Sequence, residues 1–283
     1  MDIYAYEQLV RSESAARKYV LGFCFKNQQR FCPRCHGRKL WRLATGKRRC
    51  ARCRYTFHDF TGRWIDACRL KCDDWLRVVK LFELELSARK IATQLGLAYN
   101  TAHRATMVLR HAILCAAEDA DTLLQGEVEL DESYFGGHRK GIRGRGAAGK
   151  VRVFGILERD GQVYVEVVPN VRPATLLPIT VKKVRRGSIV YTDRFAAYDA
   201  LMYCGYRHLA VDHRARFTHG KVYINGLEGF WSWAKERLIK HHGISPRWFP
   251  FYLKELEFRY NHRNESLFPL LVERLAQLVP DLE

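Results

Sequence analysis

No run in this sequence approaches the roughly 20 consecutive apolar residues that a membrane helix needs, so a membrane-embedded role is not expected. The opening residues, Met1 to Arg11, carry Asp2 and Glu7 and lack the apolar stretch of a secretory leader. A soluble cytoplasmic protein is therefore the expectation. There is no internal repeat and no long low-complexity tract, which sets repeat arrays and fibrous chains aside. The cysteines do not form an even set: nine in a chain of 283 residues do not suit the shorter, secreted disulfide scaffolds. Acidic residues are scarce where basic ones gather. Residues 1–72 hold 17 Lys and Arg against 5 Asp and Glu, a balance of +12, and residues 138–152 hold 6 Lys and Arg and no acid. These two blocks account for the whole formal charge of +18. Positive charge gathered in this way is a footprint for a polyanion, nucleic acid first; a merely basic surface is the blander alternative. What is plentiful is core material, since 47% of residues are hydrophobic and 12% aromatic, which excludes a disordered chain.

Four blocks follow one another. Residues 1–30 are of mixed polarity and are expected to begin as a helix, with Ile3, Tyr6, Leu9 and Val10 at near-helical spacing. Residues 31–65 are cysteine-rich and basic, 70–120 read as helices, and 125–283 read as an α/β unit.

The cysteine-rich block carries Cys32-Pro-Arg-Cys35 and Cys50-Ala-Arg-Cys53, with 14 residues between the pairs. Each pair sets two thiolates on one tight knuckle, and two knuckles complete an all-thiolate tetrahedral site for one structural zinc ion. The intervening run suits two short strands, and Tyr55, Phe57 and Phe60 are placed to cover the metal. So small a unit buries little apolar area, so metal binding is expected to supply its folding energy. His36 and His58 are spare ligands that four thiolates make unnecessary, and the remaining cysteines are expected in packing roles.

Ser87 to Arg104 has the form of a helix-turn-helix. Ser87 caps a short helix whose inner face is Ile91, Ala92 and Leu95, and Gly96 suits the turn. A second helix begins near Asn100 or Thr101 and buries Ala102, Ala105 and Leu109. Tyr99, Asn100, His103 and Arg104 then face outward, where a recognition helix meets the major groove. A plain helical hairpin is the alternative.

The last block reads as three strands (128–135, 151–157, 163–168), a helix (175–184), a strand ending at Asp193, a helix (196–202), a strand (206–211) and a helix (225–239). That is the order of an RNase-H-like mixed five-stranded sheet with flanking helices. Asp131 lies within the first strand, Asp193 ends the fourth, and Glu228 falls in the first turns of the last helix. A charge in an apolar strand is costly unless it is partnered, and hard divalent cations demand oxygen ligands. Asp131, Asp193 and Glu228 are thus the candidate ligands of two Mg²⁺ (or Mn²⁺) ions, with Asp131 bridging both. Asn225 competes for the third position, and Glu129 and Glu132 are weaker candidates. The basic loop Gly136–Lys150 follows the first strand directly. Its Arg139, Lys140, Arg143, Arg145 and Lys150 can meet phosphates. Phe230, Trp231, Trp233 and Trp248 suit base stacking or core packing, with core favoured for at least two. Tyr260-Asn261-His262-Arg263 carries no assigned role.

The segments Val128-Glu-Leu-Asp131-Glu-Ser-Tyr-Phe-Gly-Gly137, Ile189-Val-Tyr-Thr-Asp193 and Ile224-Asn225-Gly-Leu-Glu228-Gly-Phe-Trp231-Ser-Trp-Ala-Lys235 resemble those of bacterial insertion-sequence DDE transposases. The resemblance is to the group with a zinc ribbon before an RNase-H-like (ISXO-type) core, and it covers about residues 30 to 263. It implies Asp131, Asp193 and Glu228 as the catalytic triad, Lys235 as a contact to DNA near the element's end, and Asn225 as the third residue used by some relatives. It also implies terminal inverted repeats and target DNA as partners, a homodimer or larger assembly on DNA, and a place at the nucleoid. A hydrolytic nuclease on the same fold, or a DNA-binding regulator derived from a transposase, are the rival functions.

Overall fold

The computed structural model describes residues 1–25, 30–118, 122–136, 150–193, 196–211 and 224–280. It divides into two compact units, Met1–Glu118 with Asn264–Glu283, and Asp119–Arg263. Among the described residues no helix is long and apolar enough to cross a membrane.

The first unit opens with two helices, not the single helix its periodicity suggests. In α1 (Ile3–Val10) only Tyr6 is buried, and Asp2 caps it. Ser12 then starts α2 (Glu13–Cys24) by accepting from the Ala15 N–H. A capping side chain satisfies one of the orphan amides of a helix start, which is why a serine so close to α1 opens a new helix. Strands β1 (Leu40–Arg42), β2 (Arg48–Cys50) and β3 (Thr56–Phe57) make a small antiparallel sheet in sequence order. Three helices follow: α3 (Cys72–Glu83), α4 (Ala88–Leu95) and α5 (Tyr99–Glu118). Cys68 and Cys72 are buried but share no helix, since Cys68 is extended and Cys72 begins α3.

The last helix, α9 (Leu267–Ala276), packs in this first unit against α2, α3 and α5. It therefore leaves the α/β block, which the sequence pattern extends to residue 283. The buried stripe Phe268, Leu271, Val272 and Leu275 dictates an amphipathic helix but does not say which apolar face receives it. The segment is tied down by polar links. Arg63, almost wholly buried, donates to the Ala276 and Cys24 carbonyls, and Val279 N–H donates to the Gly62 carbonyl.

The second unit is built on strands β4 (Glu127–Phe135), β5 (Val151–Glu158), β6 (Val163–Val168), β7 (Ile189–Asp193) and β8 (Arg207–Val211). Their order across the sheet is β6-β5-β4-β7-β8; β4–β5 and β5–β6 pair antiparallel, and β4–β7 and β7–β8 pair parallel. This is the mixed five-stranded, RNase-H-like sheet expected. Helices α6 (Pro173–Lys183), α7 (Asn225–Ile239) and α8 (Phe249–Asn261) flank it. The expected helix at 196–202 is instead a 3-10 segment, Ala196–Cys204.

The alternation of β4 sorts the core. Val128 and Leu130 face one layer with Leu176, Tyr198 and Leu201. Phe135 faces the other, with Leu227, Phe230, Trp231 and Leu253. Successive strand residues point to opposite sides, so Glu129 and Asp131 share the face covered by α7. Gly155, opposite Asp131 on β5, admits that helix, because a Cβ there would lie 2.5 Å from the Trp231 ring. On the edge strand β6, Asn261 accepts from the Val163 N–H (2.8 Å) and donates to its carbonyl (2.9 Å). That docks the end of α8, and gives the unassigned Tyr260–Arg263 motif a structural task.

Candidate active site and metal centre

The two cysteine knuckles have the same shape. Cys32 N–H donates to the Gly37 carbonyl and Cys50 N–H to the Tyr55 carbonyl, both at 2.9 Å. Each second cysteine is followed by a residue in the left-handed region, His36 (φ 56°) and Arg54 (φ 62°). The four sulfurs lie within 4.8 Å of one another, with Cys32–Cys53 at 3.6 Å and Cys35–Cys50 at 3.5 Å. A disulfide needs about 2.0 Å. A tetrahedron with metal–sulfur bonds of about 2.3 Å has edges of about 3.8 Å, close to the spacing seen. The Cys53 backbone N–H heads the groups that bring the Cys50 thiol down to about 7. At Cys35, against the pull of the Gly37 N–H, the Cys53, Cys50 and Cys32 sulfurs push the thiol up to about 12, so without a cation the cluster does not hold all four sulfurs as thiolates. Of the three aromatics expected over the cluster, Phe57 packs on Cys32 and Cys50. Tyr55 is exposed and stacks on Phe57, and Phe60 lies under the Arg17 guanidinium instead.

Beside the ribbon is a cleft of about 440 Å³, lined by Arg17, Arg42, Lys47, Arg48, His58 and Asp59 among others. Arg17 and Arg48 both pair with Asp59, while Arg42 and Lys47 are exposed. The sequence marks this region as basic without singling out these residues. Only the β1–β2 turn, with Arg42 and Lys47 flanking Thr45-Gly46, brings them to one cleft.

In the helical region, Ser87 caps α4 and Gly96 (φ 62°) ends it in the left-handed conformation. The second helix starts at Tyr99, slightly earlier than the sequence suggests. Ala102, Ala105 and Leu109 are buried, Tyr99, Asn100 and Arg104 are exposed, and His103 is half-buried. Tyr99 and His103 rings pack at 5.7 Å.

The three candidate carboxylates all lie in the second unit. The parallel register of β4 with β7 runs Glu127↔Ile189, Val128↔Val190, Glu129↔Tyr191, and Asp131 and Asp193 each lie two residues further along their strands. Trp231 Nε1–H donates to Asp131 Oδ2 at 3.0 Å, which lays the Asn225–Glu228–Trp231–Lys235 stripe of α7 alongside β4. Burial pushes the Asp131 carboxyl up to about 6; the charges of Asp193 and Glu228 push the same way, and the Glu132 N–H and Trp231 oppose them. The Oδ1 of Asp193 is buried with no hydrogen-bond partner among the described residues. An unmatched carboxylate oxygen beside a raised one, with a third acid in range, is a donor set that suits a hard cation. The three are not closed to the spacing of the cysteine cluster, which is the group found close enough to hold a metal ion among the described residues. Like charges held by separate elements have reason to stand apart.

Other expected residues divide clearly. Asn225, Glu228 and Lys235 are exposed on α7, and the Lys235 ammonium lies 5.6 Å from the Phe135 ring centre. Phe230 and Trp231 are core, Trp233 is partly so, and Trp248 is exposed. Glu132 accepts from the buried Tyr198 hydroxyl on the opposite face of β4. Both oxygens of Glu129 are engaged, by Arg159 and by the Leu227 N–H. Arg139, Lys140, Arg143 and Arg145 lie outside the described residues, and of the charged loop only Lys150 is placed.

Comparison with known proteins adds a family. A profile described as an ISXO2-like transposase domain matches residues 123–261, and one described as a transposase zinc-ribbon domain matches residues 11–56. An uncharacterized transposase-like protein of Haemophilus influenzae is 48% identical over 101 residues, which span 36% of this chain and 82% of that protein. Among solved structures, a pre-cleavage Mos1 transpososome aligns over 70% of this chain and 76% of its own, at 13% identity and a TM-score of 0.28. The Mos1 strand transfer complex aligns over 73% and 79%, at 13% identity and a TM-score of 0.24.

Proposed function

The chain belongs to the ISXO2-like transposases, and from that premise we propose that it cuts and rejoins DNA at a divalent-cation site held by Asp131, Asp193 and Glu228. The reading is supported most by Asp131, raised by burial and by the charges of Asp193 and Glu228, together with the unmatched Oδ1 of Asp193. Magnesium or manganese, as two ions on these carboxylates, would polarise the attacking oxygen and stabilise the leaving one. Asp131, whose carboxyl feels the charges of both Asp193 and Glu228, would be the central ligand. Glu228 is preferred to Asn225 at the third, since its charge acts on Asp131. Trp231 fixes the rotamer of Asp131 through its indole N–H and excludes water from that side.

Two phosphoryl transfers follow. Water attacks a phosphodiester at the element's end; the bond to the 3′ oxygen breaks and a 3′-hydroxyl is released. That hydroxyl attacks a phosphodiester of target DNA, one ester bond forming as another breaks. No covalent bond to the protein is required. Residues 31–65, as a zinc ribbon with one Zn²⁺ on Cys32, Cys35, Cys50 and Cys53, and residues 70–120, as a helix-turn-helix, serve to grip the terminal repeats. Tyr99, Asn100, His103 and Arg104 read base edges. The block from 125 onward performs the chemistry, with Lys235, Lys150 and the arginines and lysine of the 139–145 loop on the backbone. Two ends must be joined in one event, which calls for a homodimer or more on DNA at the nucleoid.

The test supplies pre-cut element ends and a supercoiled target plasmid with Mg²⁺. Joined product is expected from the wild-type chain and its loss, by about 10³-fold or more, from Asp131→Ala, a change that removes a group acting in the transition state. Cleavage without any joined product would replace the transposase with a nuclease.

A further inference from the structure

At the end of β5, one guanidinium is tied to the elements that carry all three acids. Arg159 Nη1 donates to Glu127 Oε2 (2.6 Å) and Nε to Glu129 Oε1 (3.1 Å), both on β4. Its guanidinium stacks 3.8 Å from the Tyr191 ring centre on β7, and the Tyr191 hydroxyl returns to Glu127 Oε2 at 3.2 Å. Glu129, 1% exposed, passes the link to α7 by accepting the Leu227 N–H at 3.0 Å. Gly226 makes that approach possible, because a Cβ there would stand 2.9 Å from Glu129 Oε2.

Three of the residues so linked, Glu129, Tyr191 and Leu227, stand one or two positions from an acid. Glu129 precedes Asp131 by two and Tyr191 precedes Asp193 by two, which on a strand means the same face. Leu227 directly precedes Glu228. We propose that Arg159 and Glu129 are positioning residues, holding β4, β7 and the first turn of α7 in the register from which Asp131, Asp193 and Glu228 can close on a cation. Glu129 is thereby removed from the candidate ligands, since each of its oxygens already has a partner. Groups that orient ligands in this way govern metal affinity from a distance. This proposal rests on the reading of the three acids as cation ligands.

The experiment titrates full-length, zinc-loaded protein with Mn²⁺ and counts the free aquo ion by electron paramagnetic resonance, with thermal unfolding recorded for each variant. Arg159→Met is expected to weaken Mn²⁺ binding about tenfold or more, the lower end for lost orienting groups, and Arg159→Lys is expected to recover part of the loss. The sign is informative: removing a positive charge near the acids would, by Coulomb attraction alone, tighten cation binding. Asn261→Ala breaks the α8 tie at the sheet's edge, away from the acids, and should lower melting while leaving affinity unchanged. If Arg159→Met does not fold, Tyr191→Leu carries the test. It removes the ring under the guanidinium without changing a charge, and should also bind Mn²⁺ more weakly. Folded Arg159 or Tyr191 variants that match or exceed wild-type affinity overturn the proposal, as does an equal loss in Asn261→Ala. Asp131→Asn binding Mn²⁺ like wild type would instead sink the cation site itself, and this proposal with it.

Discussion

Asp131 shows how one side chain sets a pH response. Its carboxyl is raised from 3.8 to about 6, chiefly by burial. A group whose folded value lies above its unfolded one favours the fold while protonated. Its contribution is complete below about 3.9 and is lost as pH rises through about 6. A rise of that size corresponds to about 3 kcal/mol, as an upper bound for a partly shielded group. Asp131→Asn removes the charge and retains an acceptor for Trp231. Without added divalent cation it should melt several degrees above wild type at pH 8, and the gap should close by pH 4, as calorimetry would show. The reverse order at pH 8 would mean that the indole–carboxylate bond outweighs the cost of burial. Sequence alone singles out Asp131 because an acid in an apolar strand is out of place. It does not supply Trp231 as the partner, which lies 100 positions away.

At the scale of elements, the ribbon is the clearest case of local sequence deciding structure. Two Cys-x-x-Cys knuckles with left-handed exits fold alike because each closes its own loop with backbone hydrogen bonds. The apolar cluster beneath them is only Cys32, Cys50 and Phe57, with Cys35, Leu40 and Cys53 at its margin. Little is left to hold β1–β3 if the metal is withdrawn. Chelation, or Cys50→Ser, should open residues 31–57 to trypsin at Arg48 and Arg49 while the five-stranded sheet keeps its protection. Elemental analysis should find one zinc per chain. Protease resistance unchanged after complete metal removal would show that the strands stand without it. Elsewhere, element type is harder to foresee. The 196–204 segment is 3-10 where an α-helix is expected, and Ser12 splits one expected helix into two. Helix periodicity records which residues seek burial; it does not register which hydrogen-bond pattern a short segment adopts when neighbouring layers fix its length.

For the whole molecule, the balance of +12 in residues 1–72 would make the proposed DNA affinity a matter of salt. Six to ten phosphate contacts would cost about 10³–10⁵ in affinity between 50 and 200 mM salt. The full chain on a duplex carrying the element's end should fall in that range. Arg42→Ala and Lys47→Ala, in the cleft beside the ribbon, should each lower the slope of log K against log salt by about one. Slopes identical to wild type would take the cleft out of the DNA path.

The order of the five strands, the paired cysteine knuckles and the oddity of Asp131 and Asp193 follow from the sequence by itself, because each is written in local spacing. Alternation, knuckle geometry and a charge stranded in an apolar run need no distant partner to be recognised. Which face receives α9, which residues line the basic cleft, and the linkage of Arg159 through Glu129 to α7 were decided by tertiary packing alone. Those depend on contacts between positions tens to hundreds of residues apart, where chain spacing carries no information and only close approach in space, as at Gly155 and Gly226, selects the partner.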